Sequence, residues 1–178
     1  RRRPLCGALP TLHPPTGGRG RMGPEHAEDL REAYPHMTRG GCTGIGLYAM
    51  EDQPRERSPY FAMNGSLREQ QRELVKPWVK FIWLLLHALK KLPASSVVSV
   101  FRGTMKTPGD LNLDLASKTK KINWAAFSST ATTVDVMKEF LGASGPRTLM
   151  QIELTQAVGR DVSAFSLFPQ ENEVLLPP

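Results

Sequence analysis

The C-terminal stretch FPQENEVLLPP (Phe168–Pro178) places two carboxylates, Glu171 and Glu173, directly before an apolar run. The run predicts a β-strand, and alternate side chains on a strand share one face at roughly 3.3 Å per residue. We therefore expect the two carboxylates on one face, about 7 Å apart along the strand. Like charges this close raise each other's pKa. The pair indicates either two solvated side chains or a place where a cationic group sits between the strand and the rest of the fold.

The order of the elements before this stretch predicts an α+β fold. Helical spacing dominates up to Pro93, and β-branched and aromatic runs dominate after it, which is an order that favours α+β over alternating βαβ units. The predicted helices are 23–34, 58–75, 77–92 and 133–142, the last capped by Thr133 and stopped by Gly142. The predicted strands are 96–103, 122–130, 147–154, 162–166 and 171–176.

Several local expectations accompany this outline. In the second helix, the spacing makes Phe61, Leu67, Leu74 and Val75 candidate core residues. The third helix is apolar on most sides and is expected to be buried. The segment TRGGCTGIG (38–46) predicts a flexible turn. The overlapping GIGLYA (44–49) fits a dinucleotide glycine fingerprint, but no strand precedes it and no helix is expected after it, so a turn is again predicted.

Length, composition and net charge limit the number of domains and the kind of partner to expect. A chain of 178 residues with 40% hydrophobic residues is expected to form one folded domain, residues 23–178, behind a basic Pro/Gly-rich leader at residues 1–22. The net charge of +6 suggests an anionic partner, but the leader supplies much of it, so we expect no nucleic acid.

The sequence gives little indication of a metal-binding or membrane-spanning protein. Two cysteines without a C-x-x-C pair and four histidines without ligand spacing predict no metal site. The longest apolar run, Phe81–Leu89, is too short for a membrane span. The chain starts at Arg1 with no signal-peptide hydrophobic region, so we expect a processed or cut chain. We expect a monomer, and the compartment stays open between the cytosol and the cell exterior.

Three features of the strand-rich half carry chemistry. Arg102 ends the run VVSVFRG, before Gly103, and an Arg there needs an anionic partner: a phosphate, or a carboxylate in an internal salt bridge. The hydroxyls of Ser128, Ser129 and Thr130 suit a segment cap or a sugar or carboxylate contact. The third feature is the pair Glu171 and Glu173.

In this order, the features resemble the R-S-E mono-ADP-ribosyltransferases, the arginine-modifying group with a cholera-toxin-like fold. The resemblance spans Tyr48–Pro178 and rests on VVSVFRG (97–103), FSSTA (127–131), FSLFPQENEVLLPP (165–178) and, upstream, YFAMNGSLR (60–68). It implies two small packed β-sheets that form an NAD cleft with flanking helices, NAD as co-substrate and an arginine-bearing protein as acceptor.

The resemblance also implies roles for individual residues. Arg102 would grip the NAD diphosphate and nicotinamide ribose, Ser129 would orient the catalytic glutamate, and Glu173 would hydrogen-bond the ribose 2′-hydroxyl. Glu171 would hold the acceptor guanidinium, since family members with Glu at this position modify arginine and those with Gln modify other groups. Further NAD contacts would come from Gly103, Thr130, Tyr60 and Asn64, with Phe140 as the candidate for stacking on nicotinamide, or else a core residue of its helix. For Phe165 two roles stay open: contact with the acceptor, or packing in the protein interior.

The sequence departs from the family motif at one position, and two alternative functions stay open. The third position of the Ser-Thr-Ser triplet is Ala131, which removes a hydroxyl that Thr132 would partly replace. The same site with water as acceptor would make an NAD glycohydrolase. From another class, the chain would be a basic interaction module with a decayed site; the intact set of Arg102, Ser129, Glu171 and Glu173 argues against that.

Overall fold

The computed structural model describes residues 30, 32–111, 113, 124–156, 158–166 and 169–178. Its helices are α1 (Arg39–Ala49), α2 (Pro59–Glu69), α3 (Arg72–Val75), α4 (Val79–Lys91) and α5 (Val134–Leu141). Its strands are β1 (Ser99–Thr104), β2 (Ser128–Ala131), β3 (Thr148–Glu153), β4 (Arg160–Asp161) and β5 (Glu173–Leu176). Short 3-10 turns lie at Arg55–Arg57, Lys76–Trp78, Ser163–Phe165 and Pro169–Glu171. The predicted α+β class, with helices before strands, is confirmed.

The strands form an antiparallel sheet in the order β3-β1-β2-β5-β4. The β1–β3 ladder runs from Ser99↔Glu153 to Thr104↔Thr148, and the β2–β5 ladder from Ser128↔Leu176 to Ala131↔Glu173. These two halves meet through the single pair Phe101↔Ala131. The two small sheets that the resemblance implies therefore correspond to two halves of one sheet, and the seam between them is the feature that positions the site.

Helix α1 corrects the prediction of a flexible turn at 38–46. Thr38 caps the helix, because its side-chain oxygen accepts the backbone N–H of Gly41 at 3.1 Å. The glycines allow close packing on α4: a Cβ at Gly41 would lie 3.5 Å from the Ala88 Cβ, and one at Gly44 would lie 3.2 Å from Leu84. Packing against α4 thus outweighs the low helix propensity of glycine.

The predicted helix 58–75 is two helices. Gln70 adopts a left-handed conformation (φ 54°) that ends α2, and α3 begins two residues later. The break changes which residues face the core: Met63 is fully buried and Leu67 packs on the core, whereas Phe61 and Leu74 are exposed. The prediction that Phe61 and Leu74 are core residues was wrong, because it assumed one continuous helical face.

Helix α4 is buried along one side rather than all round. Leu85, Ala88 and Leu89 lie in the core, while Val79 and Trp83 are 54% and 59% exposed. The expectation of a fully buried helix was therefore wrong for its other side. No helix within the described ranges is long and apolar enough to cross a membrane.

The strand predictions were right for β1, β3, and parts of β2 and β5. The segment 162–166 contains a 3-10 turn that buries Phe165, and within 122–130 the strand begins at Ser128. Strand β4 was not predicted. Helix α5 lies within the predicted 133–142 and ends at Gly142, which has a φ of 62°. The predicted helix 23–34 and the leader 1–22 lie largely or wholly outside the described residues.

Two glycines provide a test of this packing. A Cβ at Gly159, just before β4, would lie 2.7 Å from Val174 Cγ1 on buried β5, so Gly159→Ala should destabilise the protein by about 1–3 kcal/mol. Gly65 lies inside α2, and a Cβ added there would meet no atom within 4 Å apart from its chain neighbours and the backbone of its own helix, so Gly65→Ala should stabilise the protein by about 0.5–1 kcal/mol. Urea unfolding of both variants checks the pair, and a Gly159→Ala variant as stable as the parent would contradict this packing.

Candidate active site

A cleft of about 960 Å³ lies along the seam between the two halves of the sheet. Its walls come from β1, β2 and β5, from the end of α1, from α2 and from α5. The lining residues that matter below are Tyr48, Arg55, Tyr60, Arg102, Gly103, Ser129, Phe140, Glu171 and Glu173. The cleft therefore brings together Arg102, Ser129, Glu171 and Glu173, which are spread over the chain from position 102 to position 173.

Glu173 is the buried carboxylate of this cleft. It begins β5, pairs with Ala131 across the β2–β5 ladder and is 8% exposed. Burial raises the pKa of its carboxyl, as do the negative charges of Glu171 and Asp161. A hydrogen bond from Ser129 and the positive charge of Arg102 lower that pKa but leave it above the ordinary value. The result is a desolvated carboxylate with a fixed direction and a cationic neighbour.

Arg102 lies on β1, across the seam from Ser129. Its Nη1 donates a 2.6 Å hydrogen bond to the backbone oxygen of Ser129, and its guanidinium lies 5.8 Å from the ring centre of Trp124. Burial lowers the pKa of the guanidinium, which nevertheless remains the cation of this wall. Its hydrogen-bond acceptor among the described residues is a neutral carbonyl, so the internal salt bridge weighed from sequence is not what holds it. The rest of its planar fork can reach an anionic ligand.

Glu171 reaches the same cleft by a different route from the one predicted. It ends the 3-10 turn Pro169–Glu171, and Asn172 then adopts a positive φ of 46° before β5 starts at Glu173. The two glutamates are therefore not alternate residues of one strand, and the strand-spacing argument for their distance was wrong. The turn leaves Glu171 exposed and Glu173 buried, so two carboxylates two residues apart have different environments.

Tyr48 is a cleft residue that sequence reasoning did not single out. It lies at the end of α1, 3% exposed, and its hydroxyl accepts a 3.1 Å hydrogen bond from Asn64 Nδ2. Burial raises the pKa of Tyr48, which keeps the phenol neutral and able to donate its proton toward the cleft. Asn64, predicted to touch NAD, is 4% exposed and lies behind Tyr48. The prediction of a turn in place of α1 hid this pair.

Tyr60, Phe140 and Arg55 form one aromatic and cationic cluster on the cleft wall. The guanidinium of Arg55 lies 5.7 Å from the ring centre of Tyr60 and 5.4 Å from that of Phe140, and its Nε donates to the Tyr60 hydroxyl at 2.6 Å. Phe140 is 48% exposed, so the core-packing interpretation of this residue does not hold. The two rings already hold one flat cation between α2 and α5.

The remaining predicted residues have packing roles, in the cleft wall or behind it. Thr130 is 2% exposed and its hydroxyl donates to the Val174 oxygen at 2.6 Å, so it fastens β2 to β5. A Cβ at Gly103 would lie 2.9 Å from Leu141, so glycine lets α5 approach β1. Phe165 is buried against Tyr34 in the core, and packs rather than facing an acceptor.

A partly buried arginine, an oriented buried carboxylate and a second, exposed carboxylate in one cleft suit an enzyme that handles an anionic donor and a cationic acceptor. The family described as NAD:arginine ADP-ribosyltransferase matches residues 44–178. The chain belongs to this family. It is a transferase that uses NAD as co-substrate and acts on arginine. A search of the curated proteins found no match.

Solved structures share the fold at low identity. The ADP-ribosyltransferase HopU1 of Pseudomonas syringae pv. Tomato DC3000 is 24% identical with a TM-score of 0.66, covering 88% of this chain and 73% of that one. The Vis toxin of Vibrio splendidus is 23% identical with a TM-score of 0.55, covering 90% and 77%. The eucaryotic mono-ADP-ribosyltransferase ART2.2 is 18% identical with a TM-score of 0.57, covering 86% and 67%. At these identities the likeness shows the fold alone.

The raised pKa of Glu173 has a consequence for stability. Between the ordinary carboxyl pKa of 4.5 and the raised folded value, the folded state binds more protons than the unfolded state, so stability falls as pH rises through this window. Glu173→Gln removes that titration and the buried charge. The variant should therefore be more stable than the parent at neutral pH, and this difference should shrink as the pH falls through the window.

Thermal unfolding of both proteins from acidic to neutral pH checks this, with Glu153→Gln, an exposed carboxylate on β3, as the matched control. The control should not reproduce the pH-dependent difference. A Glu173→Gln variant that is less stable than the parent at neutral pH would contradict the account of a desolvated charge.

Proposed function

We propose that this cleft transfers ADP-ribose from NAD to an arginine side chain of a protein, with Arg102, Ser129 and Glu173 acting on the donor and Glu171 on the acceptor. The observation that carries the proposal is the difference between the two carboxylates: Glu173 is buried beside Ser129 and Arg102, and Glu171 is exposed at the same cleft. All of these groups come from one chain, so we infer that a monomer suffices. We assign the catalytic domain to residues 23–178, behind the leader at 1–22.

The donor side fits a dinucleotide with a pyrophosphate and a positively charged ring. NAD supplies a ribosyl carbon that gains positive charge as nicotinamide leaves. Glu173, directed by Ser129, faces that charge, and a desolvated carboxylate stabilises it more strongly than a solvated one would. Arg102 offers its guanidinium to the pyrophosphate oxygens, a geometry that a planar fork satisfies with two hydrogen bonds.

The aromatic slot of Tyr60 and Phe140 suits the nicotinamide ring. A pyridinium ring is flat and cationic, as is the guanidinium of Arg55 that lies against both rings. Arg55 then moves aside when the donor binds, staying near Glu51, whose carboxylate lies 3.8 Å from its Nε. Tyr48, held by Asn64, supplies a hydroxyl to the same wall.

The acceptor side rests on Glu171. A guanidinium stays protonated at neutral pH and is recognised best by a carboxylate, which accepts two of its N–H groups. An exposed carboxylate at the mouth is reachable by a side chain on another protein, and it accepts the proton that the attacking nitrogen loses. The relative Vis has been solved in complex with agmatine, a guanidino compound, which supports an arginine-like acceptor here.

Hydrolysis of NAD is the second candidate activity. It needs the donor side of the cleft alone, with water in place of the guanidinium. The exposure of Glu171 favours it as a background reaction, since water reaches the mouth whenever no acceptor is bound.

Two isosteric variants separate the two sides of the cleft. With NAD and agmatine, Glu173→Gln should lower nicotinamide release by on the order of 10²–10³-fold, because a charge-stabilising group is lost in the transition state. Glu171→Gln should keep nicotinamide release and lose transfer to agmatine by a similar factor. Both products are measured together by chromatography. Equal loss of both products in both variants would contradict separate roles.

Phe140 and Phe165 form a second matched pair. Phe140→Ala should raise the KM for NAD by roughly three- to tenfold, the equivalent of about 0.5–1.5 kcal/mol for an aromatic contact, with a stability change within about 0.5 kcal/mol. Phe165→Ala should instead destabilise the protein by about 3–5 kcal/mol. Steady-state kinetics and urea unfolding of both variants check this. An unchanged KM in Phe140→Ala would remove Phe140 from the donor site.

A further inference from the structure

The outer side of helix α4 carries positive charge and an exposed tryptophan on one face. From the 3-10 turn before the helix to its last residue, exposed side chains recur at helical spacing and lie within about a third of the circumference at 3.6 residues per turn. We call this surface the α4 outer face; it consists of Lys76, Val79, Lys80, Trp83, His87, Lys90 and Lys91, all exposed. None of these residues lines the cleft.

The positive charge of this face has one acidic residue close by in the sequence, Glu73, three positions before Lys76. The sequence contains no Asp or Glu from Leu74 to Gly109. The ion pairs seen in the described ranges, Glu51–Arg55 and Asp135–Lys138, involve none of the lysines of the face. The five arginines of the leader account for most of the net charge of +6, so the α4 outer face holds a local excess of charge that the remainder of the chain compensates elsewhere.

Helix electrostatics explain three of the four lysines of this face. Lys90 and Lys91 lie in the last turn of α4, where a positive charge is favourable. Lys80 lies in the first turn of α4, where a positive charge is unfavourable. Lys76 is the C-cap of the short helix α3, an end where a positive charge is favourable. Since the dipole disfavours a positive charge in the first turn, an external anion accounts for Lys80 better than helix stability does.

The apolar residues of the face point to the kind of anion. Trp83 is 59% exposed and Val79 is 54% exposed, at the middle and the start of the face. The Trp83 ring lies against the His87 imidazole, with ring centres 3.9 Å apart and planes tilted by 30°, so the two rings form one contact on this face. An indole among lysines matches the boundary between lipid headgroups and acyl chains, where Trp is enriched and long Lys side chains reach the headgroups.

We propose that the α4 outer face docks on a bilayer surface that contains anionic phospholipids. The charged residues are lysines, which suit diffuse attraction to a charged surface, whereas the planar fork of arginine is the preferred group for reading phosphates in nucleic acids. The 13-residue helix α4 presents a straight edge of roughly 20 Å, which matches a flat partner. Because the face and the cleft share no residue, docking leaves the cleft available to its substrates.

The test compares charge-matched variants of the whole chain on vesicles. Lys80→Gln/Lys90→Gln removes two charges from the face, and Arg57→Gln/Lys138→Gln removes two exposed charges elsewhere. Sedimentation with vesicles of phosphatidylserine and phosphatidylcholine, against phosphatidylcholine alone, gives the partition coefficients. Both variants keep the basic leader, so its contribution cancels.

We expect the parent and the control to bind the anionic vesicles alike, and the face variant to bind at least tenfold more weakly, since each lysine near such a surface contributes roughly fivefold. Trp83→Phe should abolish most of the blue shift in tryptophan fluorescence that vesicles cause, and nicotinamide release in solution should be unchanged in all variants. Equal losses in both double variants, or a blue shift that survives Trp83→Phe, would overturn the proposal. Binding of the face to a DNA or RNA duplex with no binding to anionic vesicles would overturn it in favour of nucleic acid.

Discussion

Holding the carboxyl group of Glu173 out of water is the physical constraint on which the rest of this structure depends. Glu173 is 8% exposed, and burial of its charged form is unfavourable unless polar groups are fixed around it. The structure provides these groups through backbone pairing: the β2–β5 ladder sets Ser129 near Glu173, and the Thr130 hydroxyl ties β2 to the backbone of Val174. Arg102 is in turn held by the backbone of Ser129. The register of the β2–β5 ladder thus places Glu173 and Ser129, and through Ser129 it also holds Arg102.

The seam between the two halves of the sheet makes Glu173 and its neighbours accessible from the cleft. A fully paired sheet would leave no space between β1 and β2, but here a single pair, Phe101↔Ala131, joins them. The helices complete the cleft on the other side. Glycines in α1 let it lie close on α4, which carries Tyr48 to the cleft wall, and Gly103 lets α5 approach β1, which carries Phe140 there. Glycines at these helix contacts therefore determine the positions of Tyr48 and Phe140 in the cleft wall.

Much of the candidate site could be proposed from the sequence because its residues lie in short, ordered motifs. Arg102, Ser129, Glu171 and Glu173 could be singled out from the sequence, and all four line one cleft. Local patterns misled where tertiary packing decided the outcome. The glycines of α1 predicted a turn, and the resulting error hid Tyr48. The apolar run predicted a strand that includes both glutamates and puts them on one face, although a positive φ at the residue between them separates a turn from β5.

The same limit applies to helix α4. Apolar residues on most of its sides predicted a buried helix, although one side is exposed. In each of these cases the outcome depends on contacts with residues distant in sequence, which local periodicity does not report. The motifs were informative because the chemistry of each residue type is local, whereas burial is a property of the whole fold.

The most direct test of the central claim measures the titration of Glu173 and the pH dependence of catalysis on the same protein. The carboxyl carbons of glutamate are labelled with ¹³C, the Glu173 signal is assigned by its loss in Glu173→Gln, and its chemical shift is followed with pH beside the rate of nicotinamide release. The account predicts a midpoint above the ordinary carboxyl value of 4.5 and an acid limb of the kcat/KM profile that coincides with it. A Glu173 signal that titrates at or below the ordinary value, or an acid limb that does not follow it, would contradict a buried carboxylate as the group on which donor chemistry depends.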